Sequence, residues 1–455
     1  MQQEKNDVVV IGSGIGGLCT GALLARKGYK TLVVEKRPHI GGRCSTEEIE
    51  GFRVATGAIA IHPGAGMGDV FREVGTKLEL VMVPKLYWRI EGEDHQMPAK
   101  GSISVMMDII NRMESDRAKL VGGLAKAVAA GKIREAMGRG FRDPEKETLM
   151  FRDWLLQYTD NKLAHDVFDC IVVSLCGGHS YEMPASSAFS WFAKMGGARD
   201  VGVPPHGPLV EMQKLEKVVK DNNGDVWTNC PARRIVVEKG RARGVVVQKD
   251  GSEVEIAGQV VVSDVGPKGT VELAGEENFD EKYMRMLRIR IKPSLNAVAW
   301  IAGDRPLWPE SGEPAILQLI GTRRVTSVIP FSSVSPDFIS QGQHLTFVLA
   351  HPVTSFGRID PEEEERQVLL DLEEQFPGWQ EHGRIIRFTV NDADSEFVDA
   401  RGHIGFMMPH ETPVKNLYNA GDATSPYGTT ATTGCALSAK QLAETIMKSF
   451  KPGKA

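Results

Sequence analysis

The stretch VVVIGSGIGGLCTGALLARKGYKTLVVEKRPHIGGR, Val8 to Arg43, decides the fold. Val8–Ile11 is a β-branched run, Gly12–Gly17 breaks it, Leu18–Lys27 is helical in pattern, and Thr31–Val34 is β-branched again. That is a βαβ unit, the opening of a doubly wound parallel sheet. Gly12-x-Gly14-x-x-Gly17 follows a strand and opens a helix, the context in which such glycines let backbone N–H groups approach a pyrophosphate. The helix N-terminus then favours the negative charge. Glu35 closes the second strand about twenty residues on, where a carboxylate accepts hydrogen bonds from ribose hydroxyls and disfavours a 2′-phosphate, hence NADP. At this point NAD and FAD are both open.

Outward from this unit the pattern changes three times. Ser102 to Met195 alternates helical stretches with glycine breaks and reads as a helical cap. Gly224 to Ser263 carries short strands: Asp225–Thr228, Arg234–Glu238, Arg243–Gln248, Val254–Ile256 and Val260–Val262. From Ser294 to Val390 five strand patterns flank one amphipathic helix, Glu362–Gln375, which predicts a second, largely antiparallel sheet. The tail from Asn416 is strand, loop and helix. No low-complexity linker separates these blocks, so the domains are expected to interleave: residues 1–85, 200–290 and 400–455 in a dinucleotide-binding domain, 86–199 and 291–399 in a substrate domain with its cap.

Three further segments carry a family resemblance. Gly41-Gly42-Arg43 brings flexible backbone and a guanidinium toward the same pyrophosphate. Asn416 to Ala423, NLYNAGDA, comes far downstream, and Arg234-Ile235-Val236 with GRARGVVVQKDG and VVVSDVGP lies between. In this order the motifs resemble the FAD-binding amine oxidase and phytoene desaturase superfamily, and most closely its phytoene desaturase and carotenoid isomerase-like group. The resemblance implies FAD as cofactor and a Rossmann-like α/β fold interleaved with a substrate domain. It implies FAD contacts from Gly12, Gly14, Ile15, Gly16, Gly17, Glu35, Lys36, Gly42 and Arg43, and adenine contacts near Ile235 or Val236. Gly421 and Asp422 would meet the ribityl and phosphate region, and the helix from about Thr432 and Thr433 would aim its N-terminus at the flavin ring. The chain departs from the family at Ala55-Thr56-Gly57, at Pro204 to Pro208 and in the threonine-rich Gly428 to Thr433.

Composition bounds the rest. The chain has 455 residues, 42% hydrophobic and 25% charged, with a net charge of -5. These values fit a multidomain globular protein and provide no global field for nucleic acid or an anionic membrane. The polar N-terminus has no signal-peptide pattern, so a cytoplasmic location is expected, with peripheral membrane contact left open. Six scattered cysteines read as reduced thiols, and neither they nor the histidines show metal-site spacing, so no metal is expected. Gly64 to Gly68 is glycine-rich but follows no strand and reads as an irregular loop. His62 and Tyr427 lie on loops that the family places near the flavin, the first able to move a proton, the second to orient a substrate. The expected reaction is dehydrogenation, saturation or isomerisation at a carbon–carbon bond of an apolar isoprenoid or alicyclic substrate, with oxygen, a quinone or another carrier as electron acceptor. A flavin amine oxidase and a non-catalytic prenyl carrier are the alternatives.

Overall fold

The computed structural model describes residues 5–97, 117–137, 148–194, 201–308, 313–393, 395 and 405–453. The expected helix over Ser102–Met113 lies outside the described residues. β1 (Asn6–Ile11), α1 (Ile15–Arg26) and β2 (Thr31–Val34) form the βαβ unit read from sequence. β1 pairs in parallel with β2 on one side and with Ser252–Ser263 on the other, while Asp225–Trp227 and Leu417–Asn419 extend the sheet at its two ends. Alternation of side chains sorts the core. Val8 and Val10 pack with Leu18 of α1, Leu215 and Leu442, under a layer of helices. Val9 and Ile11 pack on the opposite face with Val245, Val247 and Leu287. That face is covered by the antiparallel meander Ala232–Glu238, Arg241–Lys249, Ser252–Ser263 together with the helix Glu281–Arg290.

Two strands expected at Val254–Ile256 and Val260–Val262 are one continuous strand, Ser252–Ser263. Its first half pairs with the meander and its second half with β1. Gly258 sits at the changeover, where a Cβ would come 2.9 Å from a methyl of Val9, so the two strands approach more closely than a side chain permits.

The second sheet runs in the order Gly383–Asn391, Asn296–Gly303, Gln343–Ala350, Val325–Pro330, Ala315–Leu319, Lys85–Ile90, Glu93–Gln96. Its pairings are antiparallel except between Lys85–Ile90 and Ala315–Leu319. One face, with Ala299, Leu317 and Val348, packs on Val368 and Leu372 of the helix Pro361–Gln375. The cap consists, among the described residues, of the helices Arg117–Ala136, Phe151–Leu155, Lys162–Cys176 and Ala185–Lys194. No described helix is long and apolar enough to cross a membrane.

A partly buried ion pair within the cap orients the histidine that fastens the cap to this sheet. His179 places Nδ1 2.7 Å from Asp169 Oδ2 and Nε2 2.7 Å from the Pro352 carbonyl oxygen. Both partners only accept, so the arrangement is satisfied by the doubly protonated imidazolium. Burial alone would discharge the ring, but Asp169 and the Pro352 carbonyl hold its pKa above the usual imidazole value. His351, close by, is instead pushed down to about 3 by burial and by the neighbouring His179 charge. A raised folded pKa stabilises fully below the unfolded imidazole value and ceases to do so as pH rises through it. Urea midpoints are therefore expected to fall as pH is raised above neutrality. Asp169→Asn should cost about 3 kcal/mol at pH 6 and flatten that dependence, checked by unfolding followed at several pH values.

Candidate functional site

A cavity of about 740 Å³ runs from the glycine turn after β1 to the uncovered face of the second sheet. At its dinucleotide end it is lined by Gly12, Gly14, Ile15, Gly16, Glu35, Lys36, Gly42 and Arg43. The glycines are there because nothing larger fits. A Cβ on Gly14 would lie 2.6 Å from an Asp264 carboxylate oxygen, and one on Gly16 would lie 2.7 Å from the backbone of Gly421. A Cβ on Gly17 would collide with the Gly12 carbonyl, so this third glycine serves helix–strand packing and does not line the cavity. The N-cap of α1, Gly14, makes no side-chain capping bond, leaving the first-turn N–H groups to whatever fills the cavity.

Glu35 is buried, with Oε2 accepting from Ser13 N–H at 2.9 Å and Ser13 Oγ at 2.6 Å, and Oε1 accepting from Arg37 N–H at 2.9 Å. Its carboxylate thus holds the glycine turn as well as facing the cavity, a duty that strand position alone does not disclose. Arg43 donates to Asp422 at 2.7 Å, joining positions 379 residues apart. Burial works against the guanidinium charge, and Asp422 more than offsets it, so the Arg43 pKa is raised. Gly421 and Asp422 are brought to the cradle by this pair and by the Gly16 contact.

Where the two sheets meet, the cavity is lined by Ala58, His62, Thr430, Ala431, Thr432 and Thr433. The helix Ala431–Ser449 begins here, its N-cap Thr430 making no side-chain capping bond. The Thr433 hydroxyl is buried without a hydrogen-bond partner among the described residues. A glycine cradle, two uncapped helix N-termini and an orphaned hydroxyl along one cavity fit an elongated anionic group such as a flavin dinucleotide.

Three expectations are corrected in placement. Ile235 is buried in the core and Val236 does not line the cavity; Pro231, Ala232 and Arg233 do. The pairing slips between Ala232 and Arg234, and that irregularity, invisible in the alternation, puts Arg233 at the cavity. Tyr427 packs against the cap, with its hydroxyl 2.7 Å from Ser186 Oγ and 3.0 Å from Ser187 Oγ, outside the cavity lining. Its hydroxyl is therefore committed to the cap, where it fixes the loop. Gly66, read as part of an irregular loop, precedes the helix Met67–Val74, and a Cβ there would come 2.8 Å from Thr433 backbone.

Sequence reading also passed over Asp264. Asp264 ends the third parallel strand, and its carboxylate lies against Gly14, Gly16 and Gly421. The available signal was an acid directly after a β-branched run, at the level of the first glycine. No group of three metal-ligating side chains occurs among the described residues.

Removing Arg43 leaves Asp422, 9% exposed, without its counter-charge. Arg43→Met is expected to cost about 3 kcal/mol in denaturant unfolding, and the double variant Arg43→Met/Asp422→Asn to recover most of it.

The flavin containing amine oxidoreductase family model matches residues 15–447. An inactive all-trans-retinol 13,14-reductase of Danio rerio is 27% identical over 68% of this chain and 56% of its own length. A zeta-carotene-forming phytoene desaturase of Myxococcus xanthus is 26% identical over 56% of this chain, which spans about half (52%) of that protein. An oxidoreductase from Methanosarcina mazei superposes with a TM-score of 0.79 at 23% identity, covering 97% of this chain and 100% of that one, which establishes the common fold. The chain belongs to the flavin-containing amine oxidoreductase family and is an FAD-dependent oxidoreductase.

Proposed function

We propose that the protein oxidises, reduces or isomerises a carbon–carbon bond of a neutral, largely apolar isoprenoid or alicyclic compound. The observation that carries this reading is the chemistry of the cavity wall. The acidic side chains of the lining, Glu35, Asp264, Glu272 and Asp422, all belong to the dinucleotide-binding half. The second sheet contributes Val298, Trp300, Ile316, Ile329, Phe347 and Leu349, with no carboxylate among its lining residues. A protonated amine entering there would lose its water without gaining a counter-charge, whereas an apolar skeleton gains roughly 25 cal/mol per Å² buried. The retinol reductase and phytoene desaturase relatives, by their names, concern substrates of this apolar kind.

When bound, FAD supplies hydride transfer to and from carbon. The chain's own residues then bind, orient and exclude water. The first turn of α1 and Arg43 would hold the pyrophosphate, Glu35 the ribose hydroxyls, and the N-terminus of the helix Ala431–Ser449 negative charge on the ring. His62, which lines the cavity at the junction, would move a proton there. Reoxidation falls to oxygen, a quinone or another carrier.

Two outcomes are expected. Gly14→Val should abolish FAD binding in a folded protein, and Glu35→Ala should weaken it about tenfold or more while also lowering apoprotein stability, because Ser13 loses its acceptor. Titration with FAD and unfolding of the apoprotein check both. In anaerobic mixing, a neutral unsaturated or alicyclic compound should bleach the flavin while primary amines leave it unchanged. Rapid bleaching by a primary amine with release of ammonia would overturn the reading in favour of an amine oxidase.

A further inference from the structure

On the wall that the second sheet gives the cavity, polar side chains fall in two places: Asn296, Arg387, Thr389 and Asn391 on the strands Asn296–Gly303 and Gly383–Asn391, and Gln318 and Ser327 further across the sheet. Gln318 and Ser327 are directly paired neighbours on adjacent antiparallel strands, 3% and 5% exposed, and both line the cavity. Around them lie Leu86, Ile316, Ile329 and Leu349. Gln318 Oε1 accepts from Trp88 Nε1 at 2.7 Å. An indole N–H can only donate, so the oxygen must face Trp88, and the Gln318 amide nitrogen is left as a donor. Among the described residues neither that nitrogen nor the Ser327 hydroxyl has a hydrogen-bond partner. The indole N–H of Trp191, on the cap side of the same cavity, is likewise buried and unpartnered among the described residues.

Both donors face the cavity, where water meets them, and a ligand that displaces this water without offering an acceptor leaves them unpaired. We infer that Gln318 and Ser327 form an oxygen-recognition subsite, and that the substrate is an apolar skeleton carrying a neutral carbonyl oxygen. This rests on the apolar-substrate reading above and narrows it. A carbonyl suits the spot because the glutamine nitrogen only donates and a ketone oxygen has two lone pairs to receive it and the serine. A carboxylate does not suit it: the sheet's cavity-lining cation, Arg387, lies on the strand Gly383–Asn391, three strand positions from Ser327 and four from Gln318, roughly 14 to 19 Å across the sheet. Arg387 is moreover engaged by Glu47.

The test uses the FAD-loaded protein and two compounds of one carbon skeleton, carvone and limonene, the first bearing a carbonyl that the second lacks. Dissociation constants are read from the perturbation of the flavin absorbance. Limonene leaves water more readily, so the carvone-to-limonene affinity ratio in wild type against variants carries the decision. Ser327→Ala and Gln318→Leu should each lower that ratio about tenfold with limonene binding unchanged, and Ser327→Thr, which keeps the hydroxyl, should preserve it. Gln318→Leu also strips Trp88 of its acceptor and can disturb the wall, so Ser327→Ala is the independent variant. An unchanged ratio in Ser327→Ala, with both compounds bound, would mean that water alone satisfies the donors; the subsite falls and the apolar reading stands. Failure of both compounds to bind wild type overturns the apolar reading and the subsite with it.

Discussion

The approach of two backbones at Gly16 and Gly421 is the constraint on which the site depends. A Cβ on Gly16 would lie 2.7 Å from both the nitrogen and the Cα of Gly421, so the contact exists only because Gly16 lacks a side chain, while a Cβ on Gly421 would press on the Asp264 carboxylate. It lets the first helix and the last helix pack side by side, with Leu18, Ala22, Ala436 and Ala439 in one buried cluster. Both uncapped N-termini consequently line one cavity. The Arg43–Asp422 pair closes the same junction with charge, and its burial makes either partner costly to remove alone.

The remaining half of the cavity is built on a different physical basis. Alternation along four strands sends Ala297, Leu317, Val328, Val348 and Ala350 to one face, against the helix Pro361–Gln375, while the other face is shared between the cavity and an apolar cluster with Phe52, Val54 and Val201. Acidic groups are thereby confined to the dinucleotide half, where backbone donors and a guanidinium stand beside them. The sheet half combines an apolar stretch, with Val298, Trp300, Ile316, Ile329, Phe347 and Leu349, with uncharged polar side chains and Arg387. Within the apolar stretch Gln318 and Ser327 are paired neighbours that both face the cavity. The cap completes the enclosure, held to the sheet side through the His179 bond to the Pro352 carbonyl and to the flavin-side loop through Tyr427.

What the sequence determined by itself was local. The glycine turn, the acid after β2 and the β-branched runs each act within one strand–turn–helix unit, and steric limits on Cα and helix geometry allow few outcomes there. The strands from Ser294 to Val390 and the helix Pro361–Gln375 were legible for the same reason: their periods are properties of neighbouring residues. The order of motifs along the chain was likewise enough to identify FAD as cofactor.

Tertiary structure alone decided what depends on pairs distant in sequence. Asp264 reaches the cradle because its strand lies beside β1, and Arg233 reaches the cavity through a one-residue slip in pairing. Tyr427 is taken up by Ser186 and Ser187, from a helix some 240 residues earlier. Gln318 becomes a directed donor only because Trp88, on a strand that joins the sheet in parallel from far upstream, occupies its oxygen. A side chain's residue type is written in the sequence, but which of its atoms remains to meet a ligand is settled by the partners that folding brings to the others.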